Sequence, residues 1–433
     1  MIDCEHWDER PITDLADFID GYAFAPDDWS REGLPIIRIE QLRNFDSVSD
    51  WYSGTLPIEN IIENGDLIFS WSASLFLKIW SHGKAALNQH LFKVVEHDGV
   101  DRLYLKYLIE YNLPRLKNAS HGSTMQHVTR RELRQFLVRY PIKESEQALI
   151  AALLQTVDKA IEQTEAMIAK QERIKTGLMQ DLLTKGIDKH GNIRSEATHK
   201  FKDSPLGRIP EEWECDALGA YLNSGGGFIQ TGPFGSQLHS YEYVDEGIPV
   251  VMPQDMLDDE ISLKSIALIT PKRAKDLSRH KVEVNDVLFA RRGELDRCAA
   301  IYEREQGWIC GTGCLLMRMA RSNLNPTWVT MTYKHHRIQR QVLAHAVGST
   351  MINLNQGLLK DLSFPRPSLA EQHEICLRLS TFDASLSGQH VLLGKLQLLK
   401  LGLMQDLLSG KVPVTHLLKQ SGSADVENVA CPA

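Results

Sequence analysis

Four stretches of this sequence come near to familiar chemistry, and each stops short of it. Asn325-Pro326 is followed by Thr-Trp, so it does not make the Asn-Pro-Pro-aromatic pocket in which amino groups are methylated. His373-Glu374 has no second histidine three residues on, which excludes the zinc-holding helix of a metalloprotease. Cys310 and Cys314 have loosely metal-like spacing, but no second Cys/His pair stands with them, so buried thiols are expected ahead of zinc. The run Gly225-Gly-Gly-Phe-Ile-Gln-Thr-Gly-Pro-Phe-Gly235 lacks the strand–GxGxxG–helix setting of a dinucleotide site and reads as a turn-rich loop. There is no Walker A loop and no nucleophile elbow, and the 16 histidines form no ligand-like cluster. No catalytic centre and no metal site is expected.

Phosphate binding is the chemistry the side chains still allow. The net charge is −8, but residues 1–30 hold nine acids against Arg10 alone and account for all of it. Elsewhere Arg115, Lys117, Arg130, Arg131, Arg134, Arg139 and Lys143 face only Glu132, and Lys264, Lys272, Arg273, Lys275, Arg279 and Lys281 face only Asp276. Such runs can neutralise phosphates locally. Solvated helix faces account for them equally well.

The elements that would carry these residues are organised by two long helices. From Glu146 to Leu183 the apolar positions Ile150, Leu154, Val157, Ile161, Ile168, Leu178 and Leu182 form one narrow seam, with charges on the other faces and no proline. At 1.5 Å per residue this helix spans about 55 Å. From Glu371 to Leu408 the seam returns as Ile375, Leu379, Phe382, Leu386, Leu393, Leu396, Leu403 and Leu407, and both helices end in Gly-Leu-Met-Gln-Asp-Leu-Leu. The offset is constant, since 371 − 146 and 403 − 178 both equal 225. Seams so matched pack on each other, or each takes up a partner helix.

The repeat extends beyond the helices. Gly33-Leu-Pro-Ile-Ile matches Gly247-Ile-Pro-Val-Val, Gly65-Asp-Leu-Ile-Phe-Ser matches Asn285-Asp-Val-Leu-Phe-Ala, and Gly-Ser-Thr-Met occurs at 122 and 348. Trp7 and Trp213 open the two halves. Between the matched pieces the sequences diverge, as Ser70–Asn88 and Ala290–Thr312 do. A shared scaffold with unlike loops suits two recognition domains reading different targets. Strands are expected at 35–39, 66–69, 92–95, 249–252, 287–289 and 315–319, and helices at 102–112 and 326–344. With 43% hydrophobic and 24% charged residues, the 433-residue chain can build two to four cores. No apolar run is long enough to cross a bilayer, the acidic start does not suggest export, and seven scattered cysteines fit a reducing cytoplasm.

These residues carry a family resemblance. Ser30-Arg-Glu-Gly-Leu-Pro-Ile-Ile-Arg38, the Gly-Ser-Thr-Met loops leading to Pro141 and Pro367, Glu-Gln at 146–147 and 371–372, Thr231-Gly-Pro-Phe-Gly-Ser-Gln-Leu-His239 and the two Gly-Leu-Met-Gln-Asp-Leu-Leu endings together resemble the specificity (S) subunit of type I restriction–modification enzymes. The match runs over roughly residues 5–415. The resemblance implies an α+β fold, with two similar α/β target-recognition domains separated by two long antiparallel helices in a pseudo-two-fold repeat. On that basis we expect target-recognition domain 1 over 1–143, spacer helix 1 over 144–186, a linker over 187–212, target-recognition domain 2 over 213–368, spacer helix 2 over 369–410, and a tail over 411–433, disordered at least in part. The helices would set the spacing of the two halves of a split DNA site, about one turn or ~34 Å apart, and dock the modification subunits. The resemblance implies no catalysis and no cofactor in this chain. S-adenosylmethionine would serve the modification subunits, and ATP with magnesium the restriction subunits. A cytoplasmic location and no membrane partner follow. The alternative is a helical adaptor without DNA specificity.

Bases are read by Arg, Lys, Asn, Gln, Ser and Thr on loops and helix ends. In the first half the candidates are Arg38, Gln41, Ser70, Ser72, Ser74, Lys84, Asn88, Gln89, Ser123, Thr124 and Gln126. In the second they are Thr231, Ser236, Gln254, Arg291, Arg292, Arg297, Ser349, Thr350 and Asn353. Helix capping is the competing account of the two Gly-Ser-Thr-Met loops, and core packing that of Trp51, Trp71 and Trp80. Arg291-Arg292 and Ser70–Ser74 lie in divergent segments and rank highest for specificity.

Overall fold

The computed structural model describes residues 6–48, 50–72, 74–119, 128–257, 260–344 and 353–414. The chain forms two units, Met1–Met167 with Gln389–Ala433, and Ile168–Gly388.

Both units are built on one plan. Unit 1 has a four-stranded antiparallel sheet in the order Ala16–Asp20, Leu91–Glu96, Leu67–Ser70, Phe76–Ile79. Unit 2 repeats it as Phe228–Thr231, Cys314–Arg318, Val287–Ala290, Cys298–Ala300. Each also has a second four-stranded sheet with one parallel pairing, Leu34–Ile37 with Ala85–Leu87 and Ile248–Val251 with Ile309–Cys310. The central strands Leu-Ile-Phe-Ser and Val-Leu-Phe-Ala are buried throughout, and apolar but for Ser70, because both faces are covered. Successive side chains point to opposite sides. Leu67 and Phe69 therefore enter one core and Ile68 another, as do Val287 and Phe289 against Leu288 and Ala290. The turn before each strand needs a left-handed residue, supplied by Gly65 (φ 96°) and by Asn285 (φ 73°). The repeat read from sequence is thus a repeat of structure.

The long helices run over Glu144–Leu182 and Leu369–Leu408. Each begins in one unit and ends in the other. They are antiparallel. Within unit 1 Asp158 pairs with Lys400 at 2.7 Å, and within unit 2 Lys175 pairs with Asp383, so 175 − 158 and 400 − 383 are the same step of 17 taken in opposite directions. Of the seam, Ile150, Leu154, Ile168, Leu182, Ile375, Leu379, Leu386 and Leu407 are buried. Val157, Ile161, Leu178, Phe382, Leu393, Leu396 and Leu403 are half-buried.

Two expectations need revision. The segment 187–212 is folded onto unit 2 rather than left as a polar link. It carries the ladder Phe201–Lys202 with Ile209–Pro210, and Ile187, Arg194, Leu206 and Ile209 are buried. Arg194 is held by Glu371 at 2.5 Å and Glu212 at 2.7 Å, which is why a strongly polar sequence packs. The single helix expected over 326–344 is two, Pro326–Lys334 and His336–Ala344, parted by the extended backbone of His335. The first helix of this kind instead runs on to Ala119, through Pro114. Gly410 lies against Trp7, and beyond it Val414 is buried in the core of unit 1.

Candidate nucleic-acid interface

In each unit three segments meet at one end of the first sheet. In unit 1 these are Asp20-Gly21 leaving an edge strand, Ser70-Trp71 leaving the central strand, and Asn88–His90 entering the strand between them. Gly21 N–H donates to Leu91 O (3.0 Å), Tyr22 N–H to Leu87 O (2.7 Å) and Gln89 N–H to Tyr22 O (3.0 Å). In unit 2 the segments are Thr231-Gly232, Ala290-Arg291 and Gly311–Gly313. Gly232 N–H donates to Cys314 O (2.9 Å) and Arg291 N–H to Gly313 O (2.8 Å). A side chain at Gly21 would overlap Asn88 O, and one at Gly232 would overlap Gly311 O, so both crossings require glycine.

The equivalence holds one residue past the central strands. Trp71 O accepts from Val128 N–H (3.1 Å), and Arg291 O accepts from Leu354 N–H (3.0 Å). Both basic runs border these ends. Arg130 pairs with Asp20 at 2.6 Å, and Gln230 Nε2 donates to Arg279 O, one residue before Thr231. Arg131, Arg134, Arg139, Lys143, Lys272, Lys275 and Arg279 are exposed.

Unit 2 gathers most of its candidates here. Thr231 and Arg291 are half-buried, while Ser236, Gln254, Arg292 and Asn353 are exposed. Arg297 bonds Glu294 at 2.7 Å and reaches Gln254 O at 3.3 Å, which fixes the 291–297 loop and draws the Glu294 carboxyl below its usual range. Arg291 Nε and Thr312 Oγ1 are buried without a hydrogen-bond partner.

Unit 1 requires corrections. Gln41 is buried and donates to Ser47 O (3.1 Å) while accepting from Arg38 N–H (3.3 Å), so it closes its own turn. Ser70 is fully buried and donates to Ser74 O (2.7 Å). Ser72 is buried, and Asn88 is buried with its side chain accepting from His90 N–H (3.3 Å). These four shape the loop and do not present a reading edge. Arg38 is engaged by Asp50 (2.6 Å) and lies over the Trp29 ring. Lys84 pairs with Glu63 at the opposite end of its strand, so the fold does not bring it here. Ser74 accepts from Arg43 (2.9 Å), and Gln89 is exposed. Ser123, Thr124, Gln126, Ser349 and Thr350 lie outside the described residues.

The sequence reading assigned Trp71 to core packing, which its place against the unit 1 core bears out, but did not place it at this end, and it missed Thr312. Trp71 stacks on Phe92, with ring centroids 5.4 Å apart at 26°. Its signal was the offset, because 291 − 71 and 285 − 65 both equal 220. Cys310 and Cys314 are buried thiols whose ionisation is pushed up by burial. Among the described residues no group of three or more His, Cys, Asp or Glu side chains could hold a metal, and no helix is long and apolar enough to cross a membrane.

This doubled architecture, two like units threaded by two long antiparallel helices, is found in known proteins. The model of the type I restriction modification DNA specificity domain matches residues 4–172 and again 244–391. The chain belongs to that family. It is 24% identical over 404 residues to the type I restriction enzyme EcoBI specificity subunit of Escherichia coli, covering 88% of this chain and 80% of that one. It is 21% identical over 429 residues to the MjaVIII specificity subunit of Methanocaldococcus jannaschii, covering 95% and 94%. The fold is that of the type I restriction–modification S subunit from M. genitalium, with TM-score 0.56, 16% identity, and 93% and 96% coverage. A chain solved in work on complex assembly and conformational transition of the type I R-M system gives 0.55 at 17% identity, with 93% and 97% coverage.

Proposed function

We propose that this chain is the DNA sequence-specificity subunit of a type I restriction–modification complex, each unit reading one half of a bipartite duplex site from the major groove. The observation that carries the reading is the repeated sheet end. The same backbone crossing, sharing two equivalent hydrogen bonds, presents unlike side chains in the two units, with basic residues beside them. A constant frame with variable tips is what a reader of two different half-sites needs. The long helices set the half-site spacing and dock the modification subunits. The exposed Leu377, Val391, Leu398 and Leu401 of the second helix supply apolar area for that contact. The chain itself is non-catalytic and cytoplasmic. S-adenosylmethionine serves methylation in the modification subunits, and ATP with magnesium serves the restriction subunits.

The test is binding by the chain assembled with its modification subunits. One split duplex, identified from methyladenine in the host genome, should bind tightly, and its affinity should fall steeply with salt. Equal affinity for a scrambled duplex at every salt concentration would leave the helical adaptor as the better account.

A further inference from the structure

We infer that Arg291 reads a guanine in the half-site taken by unit 2. The inference rests on the duplex-reading role proposed above and adds to it a residue and a base.

Positions 71 and 291 are the same place in two copies of one frame. Each follows the last residue of the central strand, and each carbonyl accepts from the backbone just beyond the Gly-Ser-Thr-Met loop, Val128 N–H at 3.1 Å and Leu354 N–H at 3.0 Å. The side chains differ completely. Trp71 lies flat on Phe92 and offers one indole N–H and an apolar face. Arg291 offers a five-donor fork. The sugar–phosphate backbone is alike in both half-sites, so a phosphate contact would be wanted equally in both units. The base edges are not alike. A position that changes from Trp to Arg while its backbone stays fixed is placed to answer to bases.

The state of Arg291 supports this. Arg297, its neighbour in the same loop, is satisfied internally by Glu294 and Gln254 O. Arg291 has a buried Nε with no partner, and Thr312 Oγ1, next to the Gly313 carbonyl that holds Arg291 N–H, is also buried and unpartnered. A buried donor left unmade is costly, and the terminal nitrogens of this half-exposed side chain are the donors a base can reach. Guanine presents two acceptors, O6 and N7, side by side in the major groove, and the arginine fork matches them.

The experiment replaces each guanine of the specific duplex, one at a time, by 7-deazaguanine, which lacks the N7 acceptor. Binding is measured for the complex of this chain with its modification subunits. One guanine should prove sensitive in the unsubstituted chain, by about tenfold to a hundredfold. Arg291→Ala should bind the normal and the 7-deaza duplex alike, and Arg291→Lys, which keeps the charge without the fork, should recover only part of the discrimination. A uniform loss on all duplexes with a shallower salt dependence would make Arg291 a phosphate contact and overturn the inference. So would unchanged binding. If Arg291→Ala does not fold, the Lys variant and the guanine scan decide: full discrimination by the Lys variant, or no sensitive guanine, overturns it. Failure of the unsubstituted complex to prefer its duplex over a scrambled one would instead sink the proposed function.

Discussion

Gln147 and Gln372 make the same three hydrogen bonds, and 372 − 147 is 225, the constant helix offset. Gln147 donates to Pro141 O (2.9 Å) and Gly99 O (3.3 Å) and accepts from Asp101 N–H (2.8 Å). Gln372 donates to Pro367 O (2.8 Å) and Asn323 O (3.1 Å) and accepts from Asn325 N–H (2.8 Å). Both amides are fully buried. Each ties the start of a long helix to the strand before it and to the capping residue of a shorter helix. Asp101 caps at Tyr104 N–H (2.7 Å), and Asn325 at Thr327 and Trp328 N–H. Asn325-Pro326, which fails as a methyl-transfer pocket, is therefore a helix start.

Gln147→Leu should destabilise unit 1 by at least about 1–3 kcal/mol, because it strands a buried N–H and two carbonyls. Gln147→Glu should also destabilise, since a carboxylate keeps the acceptor and loses both donors. Urea unfolding of the two variants measures the effect. An unchanged midpoint would mean water replaces the amide.

The cross-helix ion pairs should behave as couplings and not as anchors. Asp158 accepts from Tyr107 Oη (2.7 Å) as well as pairing with Lys400, whereas Asp383 has Lys175. A double-mutant cycle on Lys175 and Asp383 should give about 0.2–1 kcal/mol, as for partly exposed pairs. Asp158→Ala should cost more than Asp383→Ala, because it also strips the partner from the hydroxyl of a buried tyrosine.

Removal of Glu371 should be severe. Its carboxylate accepts from Ile187 N–H (2.9 Å), Trp213 Nε1 (3.2 Å) and the buried Arg194 guanidinium. Glu371→Ala leaves that buried cation with only the exposed Glu212 carboxylate, a loss of up to about 3–5 kcal/mol. Hydrogen exchange should show protection falling across 187–212 first, which would identify that segment as part of the unit 2 fold.

Acid should weaken unit 2 through His335. Burial, aided by His336 and Arg337, lowers its pKa from 6.5 to about 4, and its Nδ1 accepts from Arg337 N–H (3.4 Å), which needs the neutral ring. The unfolded chain therefore takes up the proton at a higher pH than the folded one. This contribution is complete above pH 6.5 and declines as the pH drops toward 4, with a slope of about one proton. His335→Gln should flatten the melting temperature over that window.

The sequence carried the frame well and the tips poorly, for physical reasons. Strand and helix positions follow from period and punctuation, and the repeat doubled every signal: Gly65 and Asn285, unlike residues, share one backbone role. Side-chain availability does not follow from residue type. Gln41, Ser70 and Asn88 have the right chemistry for bases, yet their own loops consume it. Arg194 shows the reverse, a charge in an apparently solvated run that is buried because its partner lies 177 positions away at Glu371.

The way the long helices cross between units bears on the order in which this protein can mature. Unit 2 is one unbroken span, 168–388, whereas the core around Ile12, Leu15 and Phe69 also needs Met404, Leu407, Leu408 and Val414. On the ribosome the first-made half must wait for the last-made helix, while the half made later can consolidate ahead of it.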